Sequence, residues 1–157
     1  MPQVPLTFTT PSADGNAYPT VLDSTTRQMY YALSATADGA WYFRGQVPDD
    51  YASAAALVVV CIANATSGIH RIGVDVAVAK DAEDQDPALT ALTIQDITVP
   101  ATAYLQDRIT FSTSLPTFEA GDRVIGRVTR DGDGSGGTDS LAVPTLLDVV
   151  LLSYTAA

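Results

Sequence analysis

AAALVVVCIANATSGIHRIGVDVAVA, residues Ala54–Ala79, decides the fold. Its first part, Ala54 to Ala63, is apolar throughout and centres on Leu57-Val58-Val59-Val60-Cys61-Ile62. β-Branched residues at that density lose side-chain freedom in a helix and suit a pleated surface, so the run reads as a strand buried on both faces. Asn64 to Gly68 follows as a loop. Beyond it Ile72, Val74, Val76 and Val78 alternate with Arg71, Gly73, Asp75 and Ala77, which is the pattern of a strand with one covered face. The two strands around Gly68 are expected to pair as an antiparallel hairpin.

Further strands are read outward from this stretch over Gln28 to Leu33, Ala40 to Gly45, Ala91 to Val99, Ala103 to Thr113, Arg123 to Arg130 and Leu146 to Tyr154. Val47 to Tyr51 and Glu119 to Asp122 read as turns. The composition agrees: 19 Thr, but one Lys and two Glu, leave few good helix formers among the polar residues. The connections 80–90 and 113–120 are longer than two-residue hairpin turns and suit Greek-key crossovers. The expected fold is therefore all-β, an antiparallel two-sheet jelly-roll sandwich of about eight strands. An immunoglobulin-like sandwich lacks its Cys…Trp…Cys signature here. Residues 1–19 hold Pro2, Pro5, Pro11 and Pro19, with clean alternation only at Val4, Leu6 and Phe8. They are read as an extended N-terminal arm, with 20–157 as a single β-sandwich domain.

The 157 residues suit one domain, and a 46% hydrophobic content can fill its core. A net charge of −10 argues against nucleic acid and anionic membranes as partners. One Cys excludes an intrachain disulfide framework, and without a second Cys or a His cluster there is no structural zinc set. The start MPQVPLTFTTPSADG has no basic segment followed by an apolar one, so no signal peptide is expected. No apolar run reaches membrane-spanning length.

Catalytic chemistry finds little support. The one histidine, His70, shares its strand parity with Ile72 and Val74 and reads as a strand-end residue near the core edge. Cys61 lies in the most apolar strand, where a thiol acts as a small hydrophobe with a raised pKa. A Cys61–His70 pair on neighbouring strands is the one nucleophilic arrangement available, and a buried structural thiol accounts for Cys61 better. No nucleophile elbow, phosphate-cradling loop or paired catalytic acids occur, so no enzyme and no cofactor are expected. Asn64-Ala65-Thr66 matches a glycosylation sequon, read as incidental.

The most pointed motif is DGDGSGGTD, Asp131–Asp139. Asp131, Asp133 and Ser135 place oxygens at positions 1, 3 and 5 of a calcium loop, Gly136 falls at position 6 and Asp139 at position 9. Position 12 is Ala142, so the closing acidic ligand is missing. A solvated, glycine-rich turn is the competing reading, with calcium as the only cation considered. The acidic stretch Asp81 to Asp86 reads as a surface loop. Among the aromatics, Tyr30-Tyr31 and Trp41-Tyr42-Phe43 must split between two strand faces. An outward Tyr on each strand offers either a sugar-binding platform or a subunit interface. Tyr30, Tyr31 and Tyr42 are assigned to a subunit interface.

WYFRGQVPDDY (Trp41–Tyr51), the apolar strand, Asn64 to Gly68, AGDRV (Ala120–Val124), RDGD (Arg130–Asp133) and the closing strand ending in Tyr154 form a series. Over about residues 28–154 this series resembles the small all-β virion proteins of tailed bacteriophages, most of all capsid decoration and head-fibre jelly rolls. The resemblance implies a non-enzymatic homotrimer, made in the host cytoplasm, that binds the major capsid protein on the outside of a phage head. It would stabilise the shell there. The proline-rich arm lies outside the matching stretch and, from its own sequence, is expected to help anchor the trimer. A tail-fibre or receptor-binding β-domain recognising host-surface glycan is the alternative.

Overall fold

The computed structural model describes residues 1–21, 28–80 and 87–157. The acidic stretch 81–86 lies outside the described residues. Eleven strands, and no helix among the described residues, follow in chain order: β1 (Gln3–Pro11), β2 (Ala17–Val21), β3 (Met29–Leu33), β4 (Gly39–Gln46), β5 (Tyr51–Ala63), β6 (Ile69–Ala79), β7 (Thr90–Ala91), β8 (Gln95–Thr98), β9 (Gln106–Phe111), β10 (Arg123–Arg130) and β11 (Thr145–Ala156). All pairings are antiparallel. The chain is an all-β jelly-roll sandwich, as the sequence patterns predict, with eleven strands in place of about eight.

One layer, sheet A, runs β2–β3–β11–β5–β9. The other, sheet B, runs β4–β10–β6, with β7 and β8 on the far edge of β6. β1 joins them. Gln3 to Leu6 pair with β11 in sheet A, whereas Thr7 to Pro11 pair with β4 in sheet B. Residues 1–19 are thus no free arm: they form β1 and most of β2. The prolines are compatible with this because each half of β1 has one partner strand and β2 is an edge strand. A missing N–H can then face away from the ladder.

The hairpin expected around Gly68 does not form. β5 pairs with β11 and β9 in sheet A, while β6 pairs with β10 in sheet B. The Asn64–Gly68 loop therefore crosses between layers, a gap of about 10 Å that it is long enough to span. Both strands otherwise behave as their patterns require. Leu57, Val59 and Cys61 face Ile72, Val74 and Val76 across one core, and all six are fully buried. The segment read as one strand over Ala91–Val99 is broken into β7 and β8, with Leu92 turned into the core.

At one end of the core, Phe8, Tyr31 and Trp41 pack ring on ring, with centroids 4.6–6.4 Å apart. The Trp41 indole N–H donates to the Ala32 carbonyl at 3.0 Å and ties the two sheets together. Gly45 faces this interior, where a Cβ would meet the Leu6 side chain at 2.3 Å. The strand can only approach β1 so closely because position 45 has no side chain.

Candidate functional site

The interface tyrosines expected from sequence do not share a surface. Tyr31 points into the core, Tyr30 points out from sheet A and Tyr42 points out from sheet B. Tyr30 is itself buried, in a small outward cluster with Ala32, Ile62 and Leu146. Burial, aided by the Asp148 charge, pushes its phenol above the ordinary tyrosine range. These three rings give no common patch on which a trimer could assemble.

The exposed rings are two others, Tyr18 (39% exposed) and Tyr104 (46% exposed). Tyr18 lies on β2 opposite Ala32, and Thr20 lies opposite Tyr30, so both point outward over the small apolar cluster. Tyr104 sits in the loop before β9. Its backbone has φ 64°, a left-handed conformation that costs a non-glycine residue about 1–2 kcal/mol. Its N–H donates to the Ala63 carbonyl at 2.9 Å, which fixes the loop against the end of β5. Together Tyr18, Thr20, Asn64, Tyr104, Val143 and Leu146 line a cleft of about 230 Å³ on the outer face of sheet A. Rings and aliphatic side chains make its walls, while Asn64 and Thr20 supply hydrogen-bonding groups. Neither tyrosine is legible in the sequence, because neither stands in an adjacent aromatic pair on a long strand.

A buried charge network supports the wall of this cleft. Arg130 is 1% exposed and lies in a bidentate pair with Asp139, at 2.9 Å from Nε and 2.7 Å from Nη2. Its remaining donors reach the carbonyls of Leu141 and Val143. The Asp139 carboxylate also accepts the backbone N–H groups of Arg71 and Leu141. Burial pushes this carboxyl up, but the Arg130 and Arg71 hydrogen bonds outweigh it and hold the carboxyl below the ordinary range. Arg130 thereby fixes the segment that carries Val143 into the cleft.

Of the predicted calcium loop, the structure gathers only part. Asp139 is fully engaged by Arg130 and is not available to a cation. The Ser135 N–H donates to Asp133, a hydrogen bond that keeps the Asp133 carboxyl acidic. Asp131 and Asp133 come together with Asp38 of the β3–β4 loop, with carboxylate oxygens within 4.8 Å. Close backbone packing makes this possible: a Cβ at Gly132 would lie 2.4 Å from the Ala37 carbonyl. Burial, then the charges of Asp133 and Asp131, raise the Asp38 carboxyl. Among the described residues, these three are the group able to hold an oxygen-seeking cation such as calcium. Asp38 could not be found from sequence because only tertiary packing brings it to the loop.

His70 and Cys61 are both fully buried. Burial and the Arg130 charge lower the imidazole pKa from 6.5 to about 4, so the ring is neutral near pH 7. Its Nδ1 lies 3.2 Å from the Thr145 hydroxyl, whereas Nε2 is 3.7 Å from Asp107 and has no hydrogen-bond partner. Burial, reinforced by the Asp107 charge, pushes the Cys61 thiol far up. A protonated thiol sealed in the core is not a nucleophile.

No family model and no curated protein matches the chain. Among solved structures it is similar to a family 35 carbohydrate-binding module from Clostridium thermocellum. The TM-score is 0.48 at 15% identity, with 99% of this chain and 100% of that one covered. A family 35 module from Paenibacillus barcinonensis gives 0.47 at 14%, covering 99% and 100% of the two chains. TmCBM27, a carbohydrate-binding module with specific mannan recognition, gives 0.45 at 9%, covering 99% and 86%. The resemblance to phage virion proteins is thereby corrected. These three structures are carbohydrate-binding modules and none is a virion protein, so the capsid partner implied by that resemblance has no support among them. The short turn motifs that carried it, such as VPDDY and AGD, mark hairpin ends in many β-domains.

Proposed function

We propose that this chain is a non-catalytic carbohydrate-binding module that holds a short stretch of glycan between Tyr18 and Tyr104. One observation carries the reading: the two exposed aromatic rings of the described residues come from different elements and line the same cleft. A pyranose ring has C–H-rich faces and hydroxyl-rich edges. Tyrosine offers the matching pair, an apolar face and a polar tip, and Asn64 and Thr20 can meet sugar hydroxyls. A backbone outlier that presents an exposed ring is the kind of local strain that accumulates at binding sites.

The test is affinity electrophoresis and calorimetry against a panel of neutral polysaccharides. At least one is expected to retard the protein. Tyr18→Ala and Tyr104→Ala should each weaken that binding by about tenfold or more, with unchanged circular dichroism. Retention that persists in the double variant, or no retention by any polysaccharide, sinks the reading.

A further inference from the structure

Cations of an acidic chain are expected to find carboxylates. Arg71 pairs with Asp96, Lys80 with Glu119, Arg127 with Asp75 and Arg130 with Asp139, while Arg108 bonds the Gln3 amide. Arg44 differs from all of these. It stands exposed on β4, pointing out from sheet B, and no hydrogen bond or ion pair with another described residue holds it.

The register explains what surrounds it. Arg44 lies opposite Thr7 of β1 and Ile125 of β10, while Gln46, two residues on, lies opposite Arg123. Thr7, Arg44, Gln46 and Arg123 therefore share one face and line a cleft of about 590 Å³. Ala79, opposite Arg123 on β6, keeps the floor of this cleft low. None of its described lining residues is acidic, in a chain whose net charge is −10. The volume lies within the roughly 300–1,000 Å³ of small-molecule sites.

We propose that this cleft is a second ligand site, on the sheet opposite the tyrosine cleft. It takes a carboxylate carried on a sugar-sized polar ligand, with Arg44 as the anchor. A guanidinium presents a planar fork that meets a carboxylate with two parallel hydrogen bonds. Arg123 sits diagonally across from Arg44, at the roughly 7–8 Å typical of such neighbours. Gln46 donates its Nε2 to the Gly121 carbonyl at 3.2 Å, which leaves its Oε1, with the Thr7 hydroxyl, for ligand hydroxyls. With no ring in the described lining, this site selects by charge where the tyrosine cleft selects by stacking.

The experiment is calorimetry on the full chain with three probes: a galacturonate trimer, the same trimer with its carboxyls reduced, and acetate. The galacturonate trimer is expected to bind, more weakly as sodium chloride is raised, and the reduced trimer about tenfold or more less tightly. Arg44→Ala should weaken galacturonate binding by about tenfold or more. Arg44→Lys, which keeps the charge and loses the fork, should fall between. Tyr104→Ala should leave galacturonate binding unchanged, so this site and the neutral-glycan site fail independently. Binding of acetate as tight as that of the trimer assigns the site to small free carboxylates. A preference for the trimer assigns it to an acidic glycan. Equal affinity for the charged and reduced trimers, an Arg44→Ala variant that binds as before, or no binding of any carboxylate overturns the proposal.

Discussion

β10 begins and ends with arginine, and the two ends live in different surroundings. At its start Arg123 stands exposed beside Arg44 on a cleft floored by small residues. At its end Arg130 is sealed in the molecule, bonded to one carboxylate and two carbonyls. Between them Arg127 is half exposed and paired with Asp75 at 2.6 Å. One residue type thus grades from solvent-exposed to structural within a single strand. Water decides the difference: a guanidinium in solvent gains little from any one partner, whereas a buried one must have all its donors met.

The largest effect should come from breaking the buried end. Asp139→Ala removes the carboxylate and leaves the Arg130 charge with carbonyls alone. We expect a loss of about 3–5 kcal/mol in urea unfolding, the usual result of orphaning a buried charge. The double change Arg130→Met with Asp139→Leu should cost much less, because no charge is then stranded. A single variant that loses less than about 1 kcal/mol would show that water reaches Arg130, and the contrast between the strand ends would collapse.

Next in size is a pH effect from the same buried end. His70 shares this interior with Arg130, Asp139, Asp107 and Thr145. Its folded pKa of about 4 lies below the unfolded 6.5, so the unfolded chain takes up the proton first as pH falls. Stability from this group is complete above pH 6.5 and is lost between 6.5 and about 4, by about 3 kcal/mol. The depressed Asp139 carboxyl loses its own contribution at lower pH still. Unfolding followed across this window should show the slope, and His70→Leu should flatten it. An unchanged slope in that variant would assign the acid sensitivity elsewhere.

The sequence made the body of the sandwich legible and its margins opaque. β6 could be read from alternation alone, and β5 from β-branched density, because each pattern reports what a strand buries. Nothing in either pattern says which sheet a strand joins, so the crossover at Asn64–Gly68 looked like a hairpin. β1 and β2 were hidden by Pro5, Pro11 and Pro19, which a strand with one partner tolerates and a central strand does not. Cys61 was readable as a buried thiol from its neighbours. The local spacing of the Asp131–Asp139 tip reads as one loop. Its acids in fact divide, Asp139 inward to Arg130 and Asp131 and Asp133 outward to Asp38. Tyr18 and Tyr104 carry no local signature, since their meeting depends on how β2 and the loop before β9 dock.

The exposed part of β10 and its neighbours should give the smallest effects on stability. Arg127→Ala removes an ion pair with Asp75 whose arginine is 40% exposed, and should cost no more than about 1 kcal/mol, less in high salt. Arg44→Ala should shift stability by less than about 0.5 kcal/mol, since no described partner is lost and no cavity opens. It also removes one of two neighbouring positive charges, which offsets part of any packing lost along its aliphatic stem. A residue whose removal the fold does not feel, placed on a cleft of about 590 Å³ beside a second guanidinium, keeps its donors available for something that is not the protein. If urea unfolding shows instead that Arg44→Ala costs 2 kcal/mol or so, well above the surface range, its guanidinium already has a structural partner. Arg44 would then belong with Arg130, as a guanidinium that the fold itself already engages.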